Sequence, residues 1–171
     1  MHSSTIDLSI SEAAVPEHLR ADAFLRARNP DPSILVIDDE PIVARMIAHV
    51  AEECGYRARF TINAAAFRAQ YALERSDIVL LDLSLPGGDG VELLRFLAEQ
   101  GSTSVIFIVS GFDRRVLEAA QRLGEGLGLN MGGTLTKPVF VRDLEGALAG
   151  ANHLLAANQG SRHDNRVCLG A

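Results

Sequence analysis

The chain has 171 residues, 47% of them hydrophobic and 22% charged, and its formal net charge is −6. These proportions favour one globular domain with a buried core and exclude a disordered chain. Nucleic acid is excluded as a main partner because no cluster of lysine or arginine offsets the acidic charge. The apolar runs are shorter than the ~20 residues of a bilayer helix, and no export signal is evident, so we expect no membrane contact and a cytoplasmic location.

Five short apolar runs have the length and composition of β-strands, and a helical pattern follows each of them. The strands are predicted at Ile34 to Ile37, Arg57 to Phe60, Ile78 to Asp82, Val105 to Val109 and Thr134 to Thr136. The helices are predicted at Pro41 to Cys54, Asn63 to Glu74, Val91 to Gln100, Asp113 to about Leu127 and Phe140 to about Ala157. Right-handed crossovers between such units predict an α/β fold of the flavodoxin-like class, a doubly wound five-stranded parallel sheet with helices on both faces.

Two terminal segments flank these units. Residues 1–31 are predicted to form a partly helical N-terminal extension, which could cover a sheet edge or form a homodimer. Residues 32–157 are predicted to form the domain, and residues 158–171 have the polar composition of a disordered tail. Cys54 and Cys168 lack the spacing of a disulfide framework or a metal site, which suits a reducing compartment.

A glycine-rich stretch precedes the fifth predicted strand, with glycine at positions 124, 126, 128, 132 and 133. A dinucleotide-binding loop would follow a strand and open a helix, whereas this stretch follows a helical pattern. We therefore predict that the helix ends here and that a mobile loop follows, with Leu127 and Leu129 docking it.

Polar residues stand at the carboxyl ends of four predicted strands. Asp38 and Asp39 follow the first strand, Asp82 ends the third, Ser110 follows the fourth and Lys137 follows the fifth. The carboxyl ends of parallel strands meet at one edge of a sheet, so these side chains are expected to converge on one crevice. The sequence thus predicts a site with three carboxylates, a hydroxyl and an ammonium group.

These residue types suit phosphoryl chemistry assisted by a metal. Clustered carboxylates repel one another unless a cation is bound, and Mg²⁺ prefers oxygen ligands, among which the Ser84 backbone carbonyl is a candidate. Asp82 is the candidate nucleophile, because a metal would shield its attack on phosphorus and an acyl phosphate would form. Lys137 and Ser110 can contact phosphoryl oxygens through an ammonium and a rotatable hydroxyl.

The motifs around these residues resemble the receiver domains of two-component response regulators. The resemblance covers roughly Pro32 to Ala157 and includes ILVIDDEP at 34–41, DIVLLDLSLPGGDG at 77–90, VSG at 109–111 and TKP at 136–138. Their order and approximate spacing make the combination highly specific. A weaker resemblance links the chain to receivers that precede cyclic di-GMP phosphodiesterase domains.

The resemblance implies a role for each site residue. Asp82 would accept the phosphoryl group, Asp39 would bind Mg²⁺ directly, and Asp38 would act on the metal mainly through water. Ser110 and Lys137 would contact the phosphoryl group. The implied donor is a sensor histidine kinase or a histidine phosphotransfer protein, and the implied output is contact with a downstream protein through the surface around the fourth helix and fifth strand.

Two features depart from the family pattern. Thr134 stands where the family often carries the tyrosine or phenylalanine whose rotation reports phosphorylation, which argues against an aromatic switch. The interval from Ser110 to Lys137 is several residues longer than usual, so we expect a remodelled switching surface.

Two other functions remain open. A Mg²⁺-dependent phosphohydrolase with an aspartyl nucleophile would use the same groups, although its acid/base usually stands two residues after the nucleophile, where this chain has Ser84. A receiver-like scaffold would keep the fold and act by protein contact without phosphorylation.

Overall fold

Five strands and five helices alternate along the part of the chain that the computed structural model describes, residues 32–111 and 113–164. The strands are β1 Ser33–Ile37, β2 Arg57–Thr61, β3 Ile78–Asp82, β4 Val105–Ser110 and β5 Asn130–Thr136. The helices are α1 Pro41–Glu53, α2 Ala64–Leu73, α3 Asp89–Glu99, α4 Arg114–Gly126 and α5 Val141–Asp164, and a 3₁₀ turn, Pro86–Gly88, precedes α3. The predicted extension at 1–31 lies outside the described residues.

The strands form one parallel sheet in the order β2-β1-β3-β4-β5. The chain moves from β1 outward to β2 and then returns to β3 on the other side of β1. The carboxyl ends of β1 and β3 therefore flank the switch point, where ligands of open α/β sheets bind. The prediction of a doubly wound, flavodoxin-like sheet is confirmed.

Alternate residues of the central strands point into two separate apolar cores. Ile34, Val36, Ile78 and Leu80 pack with α1 and α5 on one face. The intervening residues of these strands pack with α2, α3 and α4 on the other face, and include Leu35, Ile37, Val79 and Leu81. Because both faces of β1, β3 and β4 are buried, these central strands consist almost entirely of apolar residues, which makes them recognisable in the sequence.

Local signals place the starts of three helices. Pro41 occupies the first turn of α1, where its missing N–H costs no helical hydrogen bond. The side chains of Asn63 and Asp113 cap α2 and α4 by accepting hydrogen bonds from Ala66 N at 2.8 Å and Arg115 N at 2.7 Å.

The prediction of a mobile loop in the glycine-rich stretch is wrong. Helix α4 continues through Gly126, and β5 already begins at Asn130, so only residues 127–129 connect them. A Cβ on Gly124 would collide with the Met131 thioether, and one on Gly132 would lie 2.5 Å from Phe107 Cζ. These two glycines permit close packing between elements, and Gly128, with φ +78°, supplies the left-handed residue after the helix.

The last helix differs from its prediction at both ends. Phe140 precedes α5 and is 62% exposed, so it is not part of the apolar stripe that Leu144, Leu148 and Ala151 bury. The backbone stays helical to Asp164, whereas the sequence predicts a disordered tail from Asn158. Extending an existing helix requires no new nucleation, and no proline interrupts this segment.

Among the described helices, none has the length and apolar character that crossing a membrane requires.

Candidate functional site

The carboxyl ends of β1 and β3 place two aspartates side by side at the switch point. Asp38 directly follows β1, and Asp82 is the last residue of β3. Backbone hydrogen bonds anchor both positions, since Asp38 N donates to Thr61 O at 3.2 Å and Leu83 N donates to Val109 O at 3.0 Å. The sheet therefore fixes the backbone from which both carboxylates project.

Lys137 brings a positive charge between these carboxylates. Its Nζ lies 2.8 Å from Asp82 Oδ2, to which it donates a hydrogen bond, and 2.8 Å from Asp38 Oδ2 in an ion pair. Lys137 N also donates to Ser110 O at 2.9 Å, which ties the ends of β4 and β5 together. The Lys137–Pro138 peptide bond is cis.

Asp39 completes a cluster of three carboxylates. One oxygen from each of Asp38, Asp39 and Asp82 lies within 4.8 Å of the others. Asp38 and Asp82 are buried, whereas Asp39 is exposed at the mouth of the site. The cluster is therefore open to solvent on one side and enclosed by the sheet on the other.

Burial makes the charge on this cluster costly. It raises the pKa of the Asp38 carboxyl, although the Lys137 ammonium and the Glu40 N–H, which donates at 3.0 Å, oppose that rise. Burial alone would lower the pKa of Lys137, but its contacts with the Asp38 and Asp82 carboxylates outweigh this effect and raise it. The ammonium stays charged and bound between the acids.

The donor set fits a hard divalent cation. All three clustered side chains offer oxygen, the ligand atom that Mg²⁺ prefers. Asp38 Oδ2 is buried, and Lys137 Nζ, at 2.8 Å, is the polar group beside it among the described residues. A carboxylate oxygen has more than one lone pair, so this contact leaves it able to interact with a cation as well.

Two serine residues lie beside Asp82, the candidate nucleophile. Ser84 N donates to Asp82 Oδ1 at 2.7 Å, and Ser84 Oγ shares a hydrogen bond with Ser110 Oγ at 3.0 Å, in which either oxygen can donate. Ser110 is fully buried. Both oxygens of the Asp82 carboxylate therefore have hydrogen-bond donors, one from Ser84 and one from Lys137.

Comparison with known proteins identifies the family of this site. The family described as "Response regulator receiver domain" matches residues 34–149, which include all the site residues above. The chain belongs to this receiver family. Its members are signalling domains rather than classic enzymes, and the two-component resemblance seen in the sequence is confirmed.

Curated relatives of this receiver are longer proteins. It is 31% identical over 114 residues to the TorCAD operon transcriptional regulatory protein TorR of Escherichia coli K12, a match over 65% of this chain and 46% of TorR. It is 33% identical over 131 residues to the alkaline phosphatase synthesis transcriptional regulatory protein SphR of Synechococcus elongatus, over 69% of this chain and 48% of SphR. The receiver thus spans about half the length of these relatives.

Solved structures share the architecture. A response regulator from Colwellia psychrerythraea superposes with a TM-score of 0.64 at 30% identity, over 71% of this chain and 97% of that one. A CheY-like receiver domain protein from Methanospirillum hungatei gives a TM-score of 0.64 at 24% identity, over 77% and 98% of the two chains, and supports the fold alone.

The structure brings together the site residues that the sequence singled out and adds three contacts that it did not indicate. The side chain of Ser84 bonds Ser110, whereas the sequence suggested only its backbone carbonyl. Glu40 Oε1 lies 3.6 Å from Lys137 Nζ, as a third acid after β1. Gly90 brings α3 against the Asp82 loop, since a Cβ there would lie 2.7 Å from Leu83 Cα. The position of Glu40 directly after Asp38 and Asp39 is a sequence signal that could have indicated its contact with Lys137. The contact between Ser84 and Ser110 has no such signal, because it depends on which strands are neighbours.

Proposed function

We propose that this receiver accepts a phosphoryl group on Asp82 from a sensor histidine kinase or a histidine phosphotransfer protein and passes the signal on by contact with another protein. The observation that carries the proposal is the position of Lys137 Nζ, 2.8 Å from the carboxylates of both Asp38 and Asp82. One cation is thereby held where a phosphoryl group on Asp82 would need charge compensation. We place this exchange in the cytoplasm.

Asp38, Asp39, Asp82 and the Ser84 carbonyl would hold Mg²⁺. The ion would offset the negative charge of the incoming phosphoryl group, which the carboxylates would otherwise repel. The position of Asp39 at the exposed mouth of the site suits direct coordination, and the buried Asp38 oxygen suits contact through water.

The chain's own residues then have defined tasks. One oxygen of the Asp82 carboxylate attacks phosphorus, the phosphorus–nitrogen bond of the donor phosphohistidine breaks, and the bonding electrons leave with the imidazole. Lys137 transfers its hydrogen bond from Asp82 Oδ2 to a phosphoryl oxygen. The Ser110 hydroxyl donates to another phosphoryl oxygen, which draws the end of β4 toward Asp82.

Intact mass measurement with Mg²⁺ and acetyl phosphate tests the proposal. The parent chain is expected to gain one phosphoryl group that hydroxylamine removes, whereas Asp82→Asn gains none. Asp89→Asn is the matched control, because this acid lies in the first turn of α3, seven residues beyond Asp82, outside the carboxylate cluster. Equal labelling of the parent and Asp82→Asn would contradict the assignment of Asp82.

The same measurement separates the other two functions. No labelling by acetyl phosphate or by a phosphorylated histidine phosphotransfer domain would favour a scaffold. Sustained hydrolysis of p-nitrophenyl phosphate that Asp82→Asn abolishes would favour a phosphohydrolase. The residue two positions after Asp82 is Ser84, which lacks the acid/base group such an enzyme needs, and this supports the receiver.

A further inference from the structure

Ser84 contacts both Asp82, the proposed phosphoacceptor, and Ser110, which is proposed to bind the phosphoryl group. Its N–H donates to Asp82 Oδ1 at 2.7 Å, and its hydroxyl shares a 3.0 Å hydrogen bond with the Ser110 hydroxyl. One residue therefore links the acceptor carboxylate to the hydroxyl that would bind the phosphoryl group.

The surrounding sheet makes this link specific. Asp82 pairs with Val109 in the register of β3 and β4, so Ser84 leaves β3 directly beside the end of β4, where Ser110 stands. Asp82 and Ser110 are both fully buried. The Ser110 hydroxyl thus lies on the side of β4 that faces the loop after Asp82.

We propose that Ser84 is a positioning residue whose hydroxyl holds the Ser110 hydroxyl toward Asp82 before the phosphoryl group arrives. This inference rests on the proposed function and deepens it. A serine side chain that must adopt one rotamer when a ligand binds loses conformational entropy. The hydrogen bond with Ser84 restrains the Ser110 side chain before the phosphoryl group arrives, so less entropy is lost on binding.

The opposite arrangement makes the opposite prediction. If the Ser84 hydroxyl instead restrained Ser110 away from the phosphoryl group, its removal would strengthen binding of a phosphoryl mimic. The sign of the effect of Ser84→Ala therefore decides between a positioning residue and a restraint.

Beryllofluoride with Mg²⁺, a mimic of an aspartyl phosphate, is the probe, and its dissociation constant is measured by calorimetry. If the Ser110 side chain must be ordered when the ligand binds, Ser84→Ala is expected to bind about threefold to tenfold more weakly. Ser84→Thr, which keeps the hydroxyl, is expected to restore the parent affinity to within about twofold.

A double-mutant cycle tests whether the effect passes through Ser110. In a Ser110→Ala background, Ser84→Ala is expected to change the beryllofluoride affinity less than about twofold. Ser104→Ala is the control, because it removes a buried hydroxyl, 3.0 Å from Tyr71 OH, at the other end of β4. This control should bind beryllofluoride as the parent does.

Three results would overturn the proposal: unchanged or tighter binding by Ser84→Ala, failure of Ser84→Thr to restore affinity, or an equal loss in the Ser110→Ala background. Failure of the parent itself to bind beryllofluoride with Mg²⁺ would contradict the proposed function, and the role of Ser84 with it. Binding by the parent without a Ser84 effect contradicts the role of Ser84 alone.

Discussion

The two ends of the parallel strands hold polar groups that are satisfied in different ways. At the amino ends, Tyr71 OH donates to Ser102 Oγ at 2.7 Å, and the Asp77 carboxylate accepts hydrogen bonds from Ser33 N and Oγ at 2.8 and 2.9 Å. At the carboxyl ends, two buried carboxylates flank the single ammonium of Lys137. Local partners satisfy the first set, whereas the second set retains an excess of negative charge.

This difference separates polar groups that find their partners within the fold from carboxylates that outnumber their cation. Hydrogen bonds of the first kind contribute modestly to stability and need nothing from outside. Buried carboxylates that outnumber their cation lower stability, and a bound cation can recover it. The two ends should therefore respond differently to mutation and to Mg²⁺.

Lys137→Met should produce the largest effect, because it leaves the buried Asp38 and Asp82 carboxylates without their cation. We expect a loss of about 3 kcal/mol in the free energy of unfolding, near the lower limit for breaking a buried pair, since the lysine side chain is partly exposed. Urea unfolding in EDTA measures this loss. Added Mg²⁺ should stabilise Lys137→Met more than it stabilises the parent, because the carboxylates remain.

Arg142→Met is the control for this prediction, because it removes a positive charge nearby in sequence whose side chain is 92% exposed. Its free energy of unfolding should match that of the parent. Equal effects of Lys137→Met and Arg142→Met would show that the carboxylates at the strand ends do not depend on Lys137.

Gly132→Ala should destabilise the fold without disturbing the charged end. The new methyl would lie 2.5 Å from Phe107 Cζ and 2.8 Å from Val105 Cγ1, and overpacking of this kind costs about 1–3 kcal/mol. Phe107→Leu in the same chain should recover part of the loss. Gly126→Ala, which meets nothing within 4 Å, should leave the urea midpoint unchanged or slightly higher.

Tyr71→Phe should give the smallest effect of the three. It removes one hydrogen-bond partner from each of the Ser102 and Ser104 hydroxyls, and a loss of about 1–2 kcal/mol in the free energy of unfolding is expected. Phosphoryl incorporation from acetyl phosphate, read by intact mass, should equal that of the parent. A variant with parent stability but reduced incorporation would remove the distinction between the two ends.

Sequence patterns predicted the sheet and its charged edge because both depend on local signals. Continuous apolar runs marked the buried strands, and the acids and the lysine stood immediately after them. Because the carboxyl ends of parallel strands lie at one edge of a sheet, Asp38, Asp82 and Lys137 are expected to meet whatever the order of the strands. Their roles in phosphoryl transfer stay predictions.

The remaining features depend on contacts between distant segments. Gly124 and Gly132 suggested a loop, yet each is small because Met131 or Phe107 occupies the adjacent space. The Ser84 hydroxyl reaches Ser110 only because β4 lies beside β3. The length of α5 was underestimated because a polar composition does not by itself end a helix that has already formed.

Strand β5 contains one residue more than the segment of β4 with which it pairs. Ile106 pairs with Met131 but Phe107 pairs with Gly133, so Gly132 is one residue more than β4 can match. Beyond this bulge the pairing is regular again, and Ser110 stands opposite Thr136. The additional residue is therefore absorbed inside the strand, and it neither displaces Lys137 along the strand nor turns its side chain to the opposite face of the sheet.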